Sequence, residues 1–230
     1  MPGIALINKP SGMTSHDVVN IVRHKTGLKK VGHCGTLDPL ATGLLIILVG
    51  RDATRKQAQF LKSDKEYICN AVLGQTTDTY DIEGQVITKT DWKSYQNITS
   101  EELKKTLNDF IGKTNQTVPA YSAVRSSGKK LYEKAREGTL DLSELPSRQI
   151  EIFCLNLLSF NRDNTRQIIE FSFVCHCSSG TYIRSLVHDI GQRLGCGATL
   201  TSLKRTKIGP FSVDQAQDLI KGKELTFIST

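Results

Sequence analysis

The sequence predicts an α+β fold with a central, largely antiparallel mixed sheet flanked by helices and loops. Two observations carry this reading. Strand-like stretches outnumber helical ones, and the long strand pair near the middle of the chain is joined by a hairpin-like turn. A 230-residue chain with 38% hydrophobic and 23% charged residues is large enough for one substantial core without disulfides or metals.

In order, Ala5–Asn8 reads as a short strand. Thr14 opens a helix with Asp17 as its capping-box partner. Val18, Val19, Ile21 and Val22 form its apolar stripe, and Gly27 suits a left-handed cap. Gly32–Gly43 is glycine-rich and turn-like, and Leu44–Val49 is a buried strand. Arg51–Leu61 reads as helix, Tyr67–Leu73 as strand and Gln75–Gly84 as polar loop. The clearest helix runs from about Glu101 to Ile111; Thr99 and Glu102 cap it, Leu103, Leu107, Phe110 and Ile111 face inward, and Gly112 stops it. Strands are expected at Tyr121–Arg125, Arg148–Phe160 and Gln167–Cys177, the last two joined by a turn at Asn161–Asn164. A helix from Thr181 to Leu194, a strand near Thr201–Lys207 and a short helix at 214–220 close the chain.

Several function classes lose their signatures. The longest apolar run, Leu44–Val49, cannot cross a bilayer, and Met1–Pro10 lacks the layout of a secretory signal, so a cytoplasmic protein is expected. No cysteine pair has C-x-x-C spacing. On a strand His176 points away from Cys175 and Cys177, so reduced thiols and no metal are expected. The motifs G-x-x-x-x-G-K-[ST], G-x-G-x-x-G and H-E-x-x-H are absent. The net charge is +7, with basic clusters at Lys29-Lys30, Arg51 with Arg55-Lys56, Lys129-Lys130, and Lys204-Arg205 with Lys207. They suit an acidic partner such as RNA, or simply four solvated faces.

Three segments could carry chemistry. Asp38 lies in Gly32–Gly43, where glycines permit tight turns and Pro39 steers Asp38 away from helical geometry; taken alone, an Asp that merely caps a turn is the commoner reading. Arg184 follows Ser179-Gly180-Thr181-Tyr182-Ile183 at a helix start. A cation there opposes the helix dipole and calls for a carboxylate, with Asp38 the candidate, unless the side chain reaches water. Tyr67 opens a strand and could stack on a base while offering a phenol, or be a core tyrosine.

Together these segments resemble the bacterial-type tRNA pseudouridine synthases of the T-loop uridine, the TruB family. Asn8–Asp17 is similar to that family's opening motif and Gly32–Gly43 to its active-site loop. Lys65–Tyr67, Thr77–Asp81, Pro119–Val124, Gly128–Glu133, Gly180–Arg184 and Leu203–Arg205 match in order over about 210 residues. The resemblance implies the pseudouridine synthase fold. It also implies that Asp38 is the catalytic carboxylate, Arg184 its ion-pair partner, and Tyr67 a stacking residue that assists loss of the C5 proton. His33 would occupy the space left in the RNA, and Tyr182 and Leu203 would line the uracil pocket. The substrate would be the T-arm of tRNA, reached by base flipping. No cofactor, metal, membrane or obligatory protein partner is implied, and a monomer is expected. Residues 1–213 would form the catalytic domain. Residues 214–230 would be a short helix and tail, too short for the C-terminal RNA-binding domain that many bacterial members append. Cys34 stands where the family usually has a small residue such as Thr or Ala. A non-catalytic RNA-binding protein on the same scaffold, and a guide-dependent synthase, are the competing readings.

Overall fold

The computed structural model describes every residue except 1, 2, 127, 142, 144, 220–223, 229 and 230. The chain divides into two compact units, Met1–Ile68 with Leu203–Thr230, and Cys69–Ser202.

The first unit begins with β1 (Gly3–Lys9) and α1 (Ser15–Thr26). Thr14 and Asp17 form the expected capping box, and Gly27 ends α1 at φ 69°. β2 (Val31–His33) and β1 both pair antiparallel with β3 (Thr42–Val49), in a register that sets Gly3 opposite Val49 and Lys9 opposite Gly43. Leu45, Ile47 and Val49 pack with Val18, Val19 and Val22 of α1. Leu44, Ile46 and Leu48 pack on the other face with Phe60 and Ile208. A strand covered on both faces reads as a continuous apolar run rather than an alternating one. The helix expected over Arg51–Leu61 is two short ones, α2 (Arg51–Arg55) and α3 (Gln57–Lys62), broken at Lys56. The chain then enters β4 (Lys65–Leu73), which carries it into the second unit.

The second unit departs from the sequence reading where apolar periodicity is weakest. Gln75–Gly84 is not loop throughout, because β5 (Gln75–Thr77) pairs with β6 (Val86–Lys89), whose four residues are all exposed. A short α4 (Trp92–Tyr95) precedes α5 (Ser100–Asp109), capped as expected by Thr99 and Glu102. Because α5 stops at Asp109, Ile111 is exposed rather than inward-facing, and Thr106 takes a buried position beside Leu103 and Leu107. β7 (Gly112–Thr117) has no apolar signature but pairs with β10 (Ser147–Asp163). Tyr121–Arg125 is not a strand. Only β8 (Arg125–Ser126) pairs there, with β9 (Lys129–Lys130), ahead of α6 (Leu131–Arg136). β10 (Ser147–Asp163) and β11 (Ile168–Cys177) form the long antiparallel pair. Their turn lies at 164–167 rather than 161–164, because pairing continues to Asp163↔Ile168. β11 alternates strictly, burying Cys175 and Cys177 and turning His176 outward, as its period-2 pattern requires.

α7 (Ile183–Arg193) buries Ile183, Leu186, Val187 and Ile190, and Gly195 follows it at φ 74°. The chain returns through β12 (Ala198–Ile208), which pairs parallel with β3 at Lys204↔Thr42 and Arg205↔Gly43. β13 (Phe211–Ser212) folds back antiparallel on β12. The helix expected at 214–220 is absent from the described residues. A single 3-10 turn, Val213–Gln215, leads to β14 (Gln217–Asp218), which pairs parallel with β1. The Gln217 amide exchanges hydrogen bonds with the backbone of Thr226, an extended arrangement that competes with helix. The parallel and antiparallel pairs of the first unit and the antiparallel strands of the second give the mixed, predominantly antiparallel character that the sequence predicts.

Gly191 sets how closely α7 lies to the start of β12: a Cβ there would collide with the Ala198 nitrogen and the Gly197 carbonyl carbon. Gly191→Ala is expected to destabilise the protein by about 3 kcal/mol, the upper part of the usual cost of overpacking. Urea unfolding of the two forms at one pH measures it; a difference near zero would show that α7 can shift freely.

Candidate active site

The Asp38 loop is held through its backbone. Leu37 and Leu40 are buried on either side of a half-buried Asp38, while Thr36 and Pro39 are exposed. Every carbonyl from Gly35 to Leu40 accepts a hydrogen bond. Arg205 donates from Nη2 to Gly35 at 3.1 Å and from Nη1 to Thr36 at 3.4 Å. Ser15 Oγ donates to Leu37 at 3.1 Å and accepts from its N–H at 2.8 Å. The Asp38 carbonyl accepts from Ala41, and that of Pro39 from the Gly12 N–H at 2.9 Å and Lys9 Nζ at 3.1 Å. Ser11 Oγ reaches the Leu40 carbonyl at 3.1 Å.

Both cations in this arrangement are buried. Lys9, 0% exposed, also donates to Pro10 at 2.9 Å and Met13 at 2.6 Å, so three carbonyls match the three donors of its ammonium. Arg205, 1% exposed, donates its Nε to the Leu44 carbonyl at 2.8 Å. It therefore leaves the basic surface cluster that its sequence neighbours suggest. Gly43, at φ 97°, makes this possible: any Cβ would overlap the Arg205 carbonyl oxygen where β12 meets β3.

His33 and Cys34 lead into the loop. Burial, then the Arg205 and His16 charges, lowers the His33 pKa, leaving a neutral ring suited to stacking. Burial pushes the Cys34 thiol up to about 12, so it offers no reactive thiolate beside the loop. Tyr67 is buried on the face of β4 shared with Lys65 and Cys69. Leu203 is buried in β12, and its carbonyl accepts from Thr42.

Arg184 and Tyr182 belong to the second unit. Arg184 is 5% exposed, near the N-terminus of α7. Its Nη1 donates to the Thr79 carbonyl at 2.8 Å and its Nη2 to the Tyr121 carbonyl at 3.0 Å, and its Nε lies 3.7 Å from Asp81 Oδ2. Asp81 is equally buried and accepts from Thr79 Oγ1 at 2.7 Å and from the Glu83 N–H at 3.1 Å. Sequence reasoning did not single out Asp81 as a residue that meets Arg184. Its signal was the Thr77–Asp81 match, since a threonine-flanked Asp in a turn otherwise reads as local capping. Tyr121, expected in a strand, instead bends so that its carbonyl meets Arg184 and its hydroxyl meets Asp78 Oδ2 at 3.2 Å. The backbone of Tyr182 exchanges two hydrogen bonds with the buried Gln116 amide, and Arg148 lies over its ring at 5.4 Å.

Tyr80, between Thr79 and Asp81, has φ 65°. A non-glycine residue there carries strain of about 1 kcal/mol that its surroundings must overcome. Its ring stacks on His188, centroids 4.0 Å apart and planes at 18°. Asp189 follows on α7, and burial raises its carboxyl to about 6.

The chain is similar to known proteins over most of its length. A model described as the TruB family pseudouridylate synthase N-terminal domain matches residues 23–183, and one described as the tRNA pseudouridylate synthase B C-terminal domain matches residues 184–227. The chain belongs to the TruB family of pseudouridylate synthases. This TruB-family chain is 47% identical to the tRNA pseudouridine synthase B of Protochlamydia amoebophila, over 93% of its own length and 77% of the relative's. It is 40% identical to that of Corynebacterium diphtheriae, over 99% and 74%. Among solved structures it is similar to a Cbf5-Nop10-Gar1 complex (28% identity, TM-score 0.68) and to an H/ACA RNP bound to a substrate RNA containing 2'-deoxyuridine (26%, 0.66). It covers 94% of itself but only about half of each matched chain, 52% and 51%. These neighbours establish the pseudouridine synthase fold that the resemblance implied. No helix among the described residues of the TruB-family chain is long and apolar enough to cross a membrane.

The raised Asp189 carboxyl sets a pH dependence. Its folded pKa lies above its unfolded value, so the folded state holds the proton more tightly. Stability from this group is greatest at acid pH and declines as pH rises from about 4 to about 6. Asp189→Asn should therefore gain about 1 kcal/mol at pH 7.5, a value discounted for the half-exposed position, and nothing at pH 4. Urea midpoints at the two pH values test this; a gain equal at both would assign the effect to something other than ionisation.

Proposed function

We propose that this chain isomerises the T-loop uridine of tRNA to pseudouridine, with Asp38 as the catalytic carboxylate. The observation that carries the proposal is the Asp38 loop, whose six consecutive carbonyls are held by two buried cations, two serines and the backbone. A loop so fully held can present one carboxylate in fixed geometry, which covalent or general-base chemistry needs and a turn cap does not. Relatives named tRNA pseudouridine synthase B, at 40–47% identity over nearly the whole chain, supply the reaction and substrate class.

The reaction is an isomerisation. The bond between C1' and N1 breaks, the uracil turns, a bond forms between C1' and C5, and the C5 proton is lost while N1 gains one. The uridine must leave the loop stack first. Asp38 acts on the nucleotide during bond exchange, as nucleophile or as base. Tyr67 supplies an aromatic face for the flipped uracil and a phenol for the C5 proton. Arg184, held by Asp81, Thr79 and Tyr121, supplies the positive charge of the catalytic set. His33 occupies the gap in the RNA, and Tyr182 and Leu203 line the base. The enzyme acts as a cytoplasmic monomer on the T-arm, without an obligatory protein partner. The weaker likeness to Cbf5, at 28% identity, supports this over a guide-dependent reading.

Pure protein should convert the loop uridine of a T-arm hairpin to pseudouridine, mapped at nucleotide resolution. Asp38→Asn should keep fold and RNA affinity and lose turnover by a factor of about 1,000 or more. Turnover by that variant near the wild-type rate would overturn the assignment. Tyr67→Phe separates the two tyrosine roles. KM for the hairpin should stay within about threefold while kcat drops by at least about a hundredfold. A rise in KM alone would leave Tyr67 only its stacking role.

A further inference from the structure

Arg184 does not hold its own position. Its contacts to Thr79 and Asp81 come from the two neighbours of Tyr80, which sits at φ 65°. That single left-handed residue reverses the local chain direction, so the Thr79 carbonyl and the Asp81 carboxylate both meet one guanidinium. Two backbone hydrogen bonds help, from the Tyr80 N–H to Thr77 at 3.2 Å and from the Leu200 N–H to Tyr80 at 3.1 Å. Neither depends on the side chain, and any residue would make them.

The side chain adds one further constraint, its stack on His188. His188 lies four residues after Arg184, one turn along the same face of α7. Its Nδ1 is buried without a hydrogen-bond partner among the described residues, so the ring contributes its face at this place and not that nitrogen. Burial also lowers its pKa, which keeps the ring neutral against the tyrosine. We infer that the Tyr80–His188 stack is a positioning device for Arg184: it pins the strained turn to the helix that carries the arginine, so that turn and guanidinium keep one relative placement. Neither residue is a catalytic residue. The inference rests on the synthase reading for its kinetic consequence, and on geometry alone for its structural one.

Two readouts test it, one of them independent of activity. The first is the Arg184 Nε–H resonance, assigned by its disappearance in Arg184→Lys. It should be sharp in the wild type, broadened or fast-exchanging in His188→Ala, and restored in His188→Phe, which keeps a stacking face without the nitrogens. The second is pseudouridine formation in a T-arm hairpin. His188→Ala should lower kcat about tenfold with KM within about twofold, and His188→Phe should recover most of it. Tyr80→Phe should match wild type. The double variant Tyr80→Ala/His188→Ala should be no worse than Tyr80→Ala alone, because each removes the same contact. An unchanged resonance in His188→Ala, a failure of His188→Phe to restore it, or an effect confined to KM would each overturn the inference. A wild type that forms no pseudouridine would refute the function reading, and the resonance would still decide this one.

Discussion

The local architecture around Asp38 depends on one constraint: a loop that must expose a carboxylate also carries a row of backbone carbonyls that need donors. Lys9 and Arg205 meet that need from inside the unit. Burying a cation costs several kcal/mol unless its donors are matched, and both side chains are matched by carbonyl oxygens. Hydrogen bonds from a charged donor contribute more than neutral ones, about 1.5–3 kcal/mol each, and they point at fixed atoms. The desolvation cost is thereby converted into rigidity at the residues flanking Asp38.

The same logic governs Arg184. A guanidinium near a helix N-terminus faces an unfavourable dipole. The structure answers with a buried carboxylate, Asp81, and two backbone carbonyls drawn from separate segments of the unit. A planar guanidinium holds its donors in one rigid fork, whereas an ammonium is a compact charge on a flexible stem. Irregular backbone at Thr79–Asp81 and at Tyr121 therefore serves the arginine, and regular strand at either place would turn those carbonyls into a ladder instead.

Close backbone approach is the third requirement. Gly43 lets β12 come near enough to β3 for Arg205 to reach back across the Asp38 loop. Gly191 does the equivalent for α7 and Ala198. In both cases the absent side chain shapes what neighbouring side chains can touch.

Elements with strong local signals were legible from sequence. The Thr14–Asp17 and Thr99–Glu102 boxes, the buried run Leu44–Val49, the Gly27 stop and the alternation of β11 all fall where pattern and capping chemistry put them. Asp38 stood out for the same reason, because glycines and a proline constrain a loop locally. Strands β6 and β7 did not, since exposed or polar residues carry no period and only a partner strand makes them extended. The helix read at 214–220 failed because tertiary pairing with β1 and the Gln217 side chain outweighed a weak local preference. The placement of Asp81 beside Arg184, and of Arg205 as a buried clamp rather than a surface charge, was decided only by the fold. A long-range contact leaves no mark in local spacing, and burial of a charge is set by what surrounds it.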